Sequence, residues 1–457
     1  MNNIKKKIGL IVIVLIIISI YPIYKTAFGS KNSTSTANEK DAKVSAVNFD
    51  KTTYNLAIGN TYTLNDAISP NNATDKAVTW ASSDTNIVKV EDGVITGMGV
   101  GTAKITATTV DGGKTATSNV TVSNREANDS IITFKDKNLE KNIRYSIHKS
   151  TGVLYKSDVK NITILAASGQ DISDISGIEN LVNLQTLNLG NNQINNISSL
   201  KGLTNLQTLY LEHNNISDIS PLKSLTKLQI LGLKSNQITD INALKSLTNL
   251  QTLALNFNKV SDIEALSGLT NLYSVDLQSN KISDISPLKK LTNLHYLYAE
   301  SNEISNVSAL KELTDLQNLS LQSNKISDIS SISGLSKLNS LVLADNQISN
   351  ISSLSNLNNL QFDLQLQSNK INDISPLKGL TRLQNITLSS NKISNLSALT
   401  ELTDLQLLEL KNNQISDINP LKKMSHLQYL FLQGNKISAE DQKALKKALL
   451  QLKNIYF

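Results

Sequence analysis

Asparagine returns every 22 residues through much of this chain: Asn192, Asn214, Asn236, Asn258, Asn280, Asn302, Asn324 and Asn346. Each stands in the setting L-x-x-L-x-L-x-x-N-x-I-x-x-I-x-x-L-x-x-L-x-x, as in LQTLNLGNNQINNISSLKGLTN from Leu184 to Asn205. A period in the twenties with this leucine pattern admits one architecture, a leucine-rich-repeat solenoid. The L-x-x-L-x-L segment alternates as a strand does, and the remainder is too short for a full α-helix, so each unit makes one turn. Stacked turns place their strands side by side in a parallel sheet, and neighbouring turns supply the core that no single turn can bury.

The asparagine has a physical reason. Where the strand ends, the chain turns inward over the core and leaves N–H and C=O groups without sheet partners, which is costly when buried. A side-chain amide offers a donor and an acceptor together, and amides one turn apart are expected to bond along the stack. The ladder is therefore structural. A second series, Asp218, Asp240, Asp262 and Asp284 with Asn306 and Asn350, has two readings: a stack of calcium ligands, or caps for the short helical turns. Asparagine substitutes freely there and no glycine-rich multi-carboxylate loop accompanies it, which favours capping.

The ladder continues at Asn369, Asn391, Asn413 and Asn435, with Gln170 in a degenerate first turn, about thirteen turns in all. The sheet is expected to run roughly 60 Å. The interval from Asn346 to Asn369 is 23 residues, so an extra residue near QFDLQL (Gln361 to Leu366) predicts a bulge. Before the repeats, Leu139, Ile143 and Ile147 fall on one helical face with Asp136 as N-cap. After them, Ser438 caps an amphipathic helix with Leu445, Ala448, Leu449 and Leu452 on one face.

Upstream the pattern changes. TYTL, AVTWAS, NIVKV, GVITG, GTAKITATTV and TSNVTVS are short β-branched runs separated by turn residues, the signature of an antiparallel sandwich. These words resemble the bacterial Ig-like domain of group 2 nearly throughout, with Trp80 in the VTW-SSD block; its reading is a core filler rather than a ligand contact. The resemblance implies a spacer or weakly adhesive module.

The leader reads MNNIKKK followed by an apolar run from Ile8 to Ile23. At about 1.5 Å per residue that run spans roughly 24 Å, short for a membrane span and long for a signal core. It is read as a signal peptide or an uncleaved signal anchor, with the remainder exported. The formal charge is +6, of which Lys5, Lys6, Lys7 and Lys25 supply four, leaving +2; that balance excludes a nucleic-acid-binding surface. Cysteine is absent, which excludes disulfides, thiolate metal sites and a lipid-bearing cysteine. The organisation is then 1–27 signal peptide or anchor, 28–43 flexible linker, 44–123 Ig-like domain, 131–164 N-terminal cap, 165–437 repeats and 438–457 C-terminal cap.

The unit LTNLQTLxLxxNxISDISPLKxL, the segment FKDKNLEKNIR and the ending NIYF together resemble the internalin-type leucine-rich-repeat surface proteins of Gram-positive bacteria over about residues 131–457. The chain differs from that pattern in placing the Ig-like domain before the repeats and in carrying no wall-sorting motif after them. The resemblance implies a cell-surface or secreted protein, held by its N-terminal segment unless that is cleaved.

Aromatics make up only 4% of the chain, so their placement is informative. The outward strand positions read Asn188, Tyr210, Gly232, Ala254, Asp276, Tyr298, Ser320, Val342, Gln365, Thr387, Glu409 and Phe431. Small residues between Tyr210 and Tyr298, roughly 19 Å apart across four strand spacings, predict a shallow depression. Its rim would be Tyr210, Glu212, His213, Phe257, Asp276, Tyr296, Tyr298 and Glu300. A second cluster is Tyr429 with Phe431. The alternative is scattered surface aromatics that need no explanation. The expected partner is a protein, such as a host receptor, met on the concave face by a monomer that needs no cofactor and binds no metal. A structural envelope protein binding its own wall polymer is the other reading. An enzyme is not expected: His148, His213, His295 and His426 are scattered, with no phosphate loop and no paired metal ligands.

Overall fold

The computed structural model describes residues 42–126 and 129–457; the leader and nearly all of the tether lie outside them. Two compact units are distinguished. The first takes the described residues up to Thr53 with Asn65–Ser83 and Lys104–Asn119; the second takes Tyr54–Leu64, Asp84–Ala103 and Val120–Phe457. Along the chain an Ig-like β region precedes the solenoid.

In the first unit, Ala46–Phe49 pairs antiparallel with Asp66–Ser69, and Val78–Ser82 pairs antiparallel with Ile105 to Thr109. Trp80 is half-buried and stacks on Phe49 with ring centroids 5.8 Å apart. In the second unit, Thr61–Thr63, Val94–Gly97 and Val88–Glu91 form an antiparallel three-stranded sheet around the buried Val88 and Ile95.

The repeats form a parallel sheet of fourteen strands in chain order, from Ile164–Ala166 to Asn454–Tyr456. The last strand comes from the NIYF ending, which adds one to the thirteen expected turns. Each strand is three residues long and pairs at a shift of 22, as Leu187 with Leu209, except at the pair of Leu341 with Leu364, where the shift is 23, and at the last pair, Leu430 with Ile455, where it is 25. On the opposite side of each turn the chain makes a short 3-10 helix, such as Ser220–Ser224. The Leu and Ile positions are fully buried and join in one core running from the N-terminal cap to the C-terminal helix. Lys137–Ser146 closes one end, capped by Asp136, whose side chain accepts from the Asn138 and Leu139 N–H groups. Ala439–Ala448 closes the other with Leu445 and Leu449 buried; Ala448, expected on that face, is exposed.

The asparagines from Asn214 to Asn413 satisfy four backbone groups each rather than two; Asn192 at one end satisfies five and Asn435 at the other three. Asn324 Nδ2 donates to Leu321 O (3.0 Å) and Gln322 O (3.2 Å) in its own turn and to Ala299 O (3.0 Å) in the turn before, while its Oδ1 accepts from Ile304 N (3.0 Å). The same pattern recurs at Asn214, Asn236 and Asn391. The amides therefore bond the backbone of the adjacent turn and not one another, a correction to the expected direct ladder. A further, exposed series was not anticipated: Asn205, Asn249, Asn271 and Asn293 each donate to a carbonyl 23 residues earlier. The aspartates cap as expected, by an Asx turn: Asp218 Oδ1 accepts from Ser220 N (2.8 Å), Asp284 Oδ1 from Ser286 N (2.8 Å), and Asn306 Oδ1 from Ser308 N (2.9 Å).

The predicted bulge is present. Gln361 and Phe362 both donate to Asn339 O, and their carbonyls then serve Gln384 and Asn385 separately, so two residues oppose one. The strand shift becomes 23 there, as Leu341 with Leu364, and Phe362 is left 49% exposed.

Candidate functional site

The concave face is the array of side chains that the short strands turn away from the core. Three rows matter. The residue before the central leucine gives Tyr296 and Tyr429; the residue after it gives Tyr210, Gly232, Ala254, Asp276, Tyr298 and Phe431, in direct register across neighbouring strands. The residue two before each asparagine gives Glu212, Lys234, Asn256, Gln278 and Glu300.

His213 and Phe257 occupy a fourth row, immediately before the asparagines. Every residue of that row from Asn191 to Asn412 has a left-handed backbone, with φ of 54° at His213 and 57° at Phe257. The row is otherwise Asn, Ser or Asp, types that tolerate this conformation, or Gly434 at its end. Phe257 is the bulky exception, and it is 44% exposed with Lys234 Nζ 5.5 Å from its ring centroid.

The depression expected at Gly232 is occupied. Glu212 folds its carboxylate over Gly232, so that a Cβ at 232 would lie 2.6 Å from Glu212 Cδ and 3.1 Å from Tyr210 Cδ1. The missing side chain thus makes room for an acid. Burial pushes the Glu212 carboxyl up from its ordinary range, and burial with the Glu212 charge nearby raises the Tyr210 phenol. Two strands on, Asp276 is pushed up to about 6, first by burial and then by the Glu300 charge, opposed by Gln278 N–H (3.1 Å) and Lys234. Tyr298 is raised by burial and by Tyr296, Glu300 and Asp276. Glu300 Oε2 and Asn256 Oδ1 are buried without a hydrogen-bond partner.

A consequence for stability follows. A carboxyl whose folded value exceeds its unfolded one holds its proton more tightly in the native state, so native stability falls as pH rises from about 4 to about 6. Asp276→Asn keeps the acceptor for Gln278 N–H and removes the buried charge. It should raise stability at pH 7 by about 1–3 kcal/mol and flatten the pH dependence of thermal unfolding over that window. An unchanged melting profile would refute the burial of an unpaired charge at this position.

Tyr210, Glu212, His213, Phe257, Asp276, Tyr296, Tyr298 and Glu300 thus fall on adjacent strands and turns, Thr208–Tyr210 through Tyr296–Tyr298. Tyr429 and Phe431 lie six strand spacings further on, roughly 25–30 Å away, and form a separate group. There Phe431 stacks on Tyr456 at 5.1 Å, Lys411 Nζ sits 4.4 Å from the Phe431 ring centroid, and Lys453 Nζ 5.8 Å from that of Tyr429. Sequence reasoning missed Tyr273 and His295, which stack at 4.3 Å beside Tyr296. Burial and Tyr296 push the Tyr273 phenol up to about 12. Both interrupt a row otherwise read Gln185, Gln207, Gln229, Gln251 and Gln317, a break visible in the sequence. Lys234 and Asn256 were also missed, being ordinary surface types.

Comparison with known proteins agrees with this architecture. Models of leucine-rich repeats match residues 172–216, 204–246, 248–290, 292–335 and 403–447, and the bacterial Ig-like domain (group 2) matches 43–120. The solved internalin InlF of Listeria monocytogenes is 36% identical, with a TM-score of 0.59, over 65% of this chain and 95% of that one. This chain is an internalin-like leucine-rich-repeat protein. The internalin-like repeat also shares its fold with the functional domain of InlJ from Listeria monocytogenes, at 20% identity and TM-score 0.53 over 67% of this chain and 75% of that one. An Ig-like virion protein of Serratia phage KSP90 is 42% identical over 82 residues, 18% of this chain and 32% of its own length. The chain spans less than a third of the length of the curated relatives it matches. Among the described residues no helix is long and apolar enough to cross a membrane.

Proposed function

We propose that this internalin-like chain is an exported cell-surface protein, acting as a monomer, that binds a protein partner on the concave face of its solenoid in adhesion or host interaction. The observation that carries the reading is the concentration of aromatic rings, unpaired carboxylates and unpartnered buried polar atoms on the strands from Tyr210 to Tyr298. Rigid aromatic side chains anchor protein partners at little entropic cost. The plant peptide hormone receptor RGFR1, solved in complex with RGF2, and the LRR ectodomain of an Arabidopsis thaliana membrane receptor kinase, solved in complex with CASPARIAN STRIP INTEGRITY FACTOR 2, share the fold. Residues 1–29 would hold the protein at the membrane, or release it if cleaved, and the Ig-like module would space the solenoid from the surface. A binding role is preferred to an enzymatic one: two Bifidobacterium longum arabinofuranosidases match the chain over only 56 and 69 residues, 5% and 6% of their lengths.

A second reading, attachment to an anionic polymer of the cell's own wall, is favoured by the lysines over Tyr429 and Phe431. The test is adhesion of a non-adherent Gram-positive host expressing the full chain, compared with its Tyr210/Phe257/Tyr296/Tyr298→Ser variant, on epithelial monolayers. Purified wall binding is measured alongside, and circular dichroism checks folding. The variant is expected to lose adhesion by about tenfold or more, equivalent to ~1.4 kcal/mol or more, with wall binding unchanged. Undiminished adhesion would sink the concave-face reading.

A further inference from the structure

Between Tyr210 and Tyr298 the carboxylates of the concave face have Lys234 nearby but no cation in direct contact. Glu212, Asp276 and Glu300 form no ion pair among the described residues, and Lys234 reaches the ring of Phe257 instead. Asn256, in the row between Lys234 and Gln278, is only 6% exposed and keeps its Oδ1 unbonded, as Glu300 does its Oε2. Buried acceptors without donors are costly, and here two of them, Asn256 Oδ1 and Glu300 Oε2, share one short stretch of sheet with the half-buried carboxylates of Glu212 and Asp276. No three His, Cys, Asp or Glu side chains of the described residues come together to hold a metal ion. The acceptors are spread along the trough rather than focused on a point, and tyrosines stand at both ends.

That geometry fits an elongated, planar, multiply donating cation better than a spherical one. A guanidinium has five donors in a rigid fork, pairs with carboxylates two bonds at a time, and stacks on aromatic faces, whereas an ammonium is a compact, strongly hydrated point charge. We infer that the strip of strand face between Tyr210 and Tyr298, where the Glu212 carboxylate lies over Gly232, is a receptor for an arginine-bearing segment of a protein partner, with Glu212, Asp276, Glu300 and Asn256 as the acceptors. Burial disfavours the charged forms of Glu212 and Asp276, and an incoming cation would relieve that penalty. The inference rests on the concave-face reading and names the chemistry of its ligand.

The test uses the full chain in detergent micelles and three fluorescently labelled probes: tetra-arginine, tetra-lysine and tetra-citrulline peptides. Tetra-arginine is expected to bind about tenfold or more tighter than tetra-citrulline, its neutral near-isostere, with tetra-lysine between them. Glu212→Gln/Asp276→Asn/Glu300→Gln should abolish the arginine preference, and Glu303→Gln/Glu401→Gln, acids outside the trough, should preserve it. If the triple variant misfolds by circular dichroism, Glu300→Gln alone, which preserves side-chain shape, decides. Equal affinity for arginine and citrulline, lysine binding as tightly as arginine, or equal losses in trough and control variants would each overturn the inference. The two readings separate in the adhesion assay. Normal adhesion by the carboxylate variant, with loss in the tyrosine variant, refutes the arginine ligand alone. Normal adhesion by both refutes the concave-face partner.

Discussion

Asn324→Asp is expected to destabilise the repeat by about 3–5 kcal/mol, although the side chains are nearly isosteric. The carboxylate would still accept from Ile304 N–H, but it would replace an amino group that donates to the carbonyls of Ala299, Leu321 and Gln322. Each carbonyl then loses its donor, at roughly 1 kcal/mol or more apiece, and faces a buried negative charge. Because stacked turns stabilise one another only through neighbours, the defect should divide the solenoid. Thermal unfolding would broaden or split, and hydrogen exchange would rise in the turns on both sides of residue 324. Protonation relieves the repulsion, so the folded-state pKa of the introduced acid is raised and the deficit should be smallest at acid pH, growing as pH rises through the ordinary carboxylate range. A loss below about 1 kcal/mol would show that water replaces the amide, contrary to its burial.

Lys149→Met should cost about 3–5 kcal/mol of local stability at the N-terminal end of the repeats. Lys149 is only 2% exposed, and its ammonium lies 2.8 Å from Asp158 Oδ2 and 3.3 Å from Asn60 Oδ1. Burial pulls the lysine below its ordinary range, with Asp158 acting in the opposite sense. The same carboxylate accepts from Tyr155 N–H (2.9 Å) and from Asn60 Nδ2 (2.6 Å), while Arg125 bonds Asn60 and lies 3.3 Å from the Tyr155 ring centroid. Removing the cation strands Asp158 in a buried site. Hydrogen exchange should accelerate in Lys137–Ser146 and Ile164–Ala166 while the distant turns keep their protection. Pairing the change with Asp158→Leu should recover part of the loss, since the penalty is the unpaired charge rather than the missing side-chain volume. A double variant as unstable as the single one would contradict that origin.

Most of the repeat was legible because a period of 22 fixes strand register, core and turn at once: Leu187 pairs with Leu209, and the leucines are buried. The one extra residue near Gln361 was readable for the same reason, as a break in a strict count. What periodicity does not encode is where a long side chain lies. Gly232 read as empty space, but Glu212 from the preceding turn fills it, because a flexible side chain settles into whatever room its neighbours leave. The left-handed row was written in the run of Asn, Ser and Asp before each ladder asparagine, a signal masked by the general polarity of turns. Tyr273 and His295 were not legible as part of the site because they sit at the strand's entry, outside the positions flanking the central leucine that face outward from the sheet.

The most direct test of the concave-face account is site-specific photocrosslinking on intact cells. A host expressing the full chain with p-benzoylphenylalanine in place of Phe257, and one carrying it in place of the convex, partly exposed Ser246, would be irradiated on epithelial monolayers. The account predicts one defined crosslinked partner from position 257, lost when Tyr210, Tyr296 and Tyr298 are also changed to Ser, and none from position 246. Crosslinking from 246 alone, or equally from both, would contradict it.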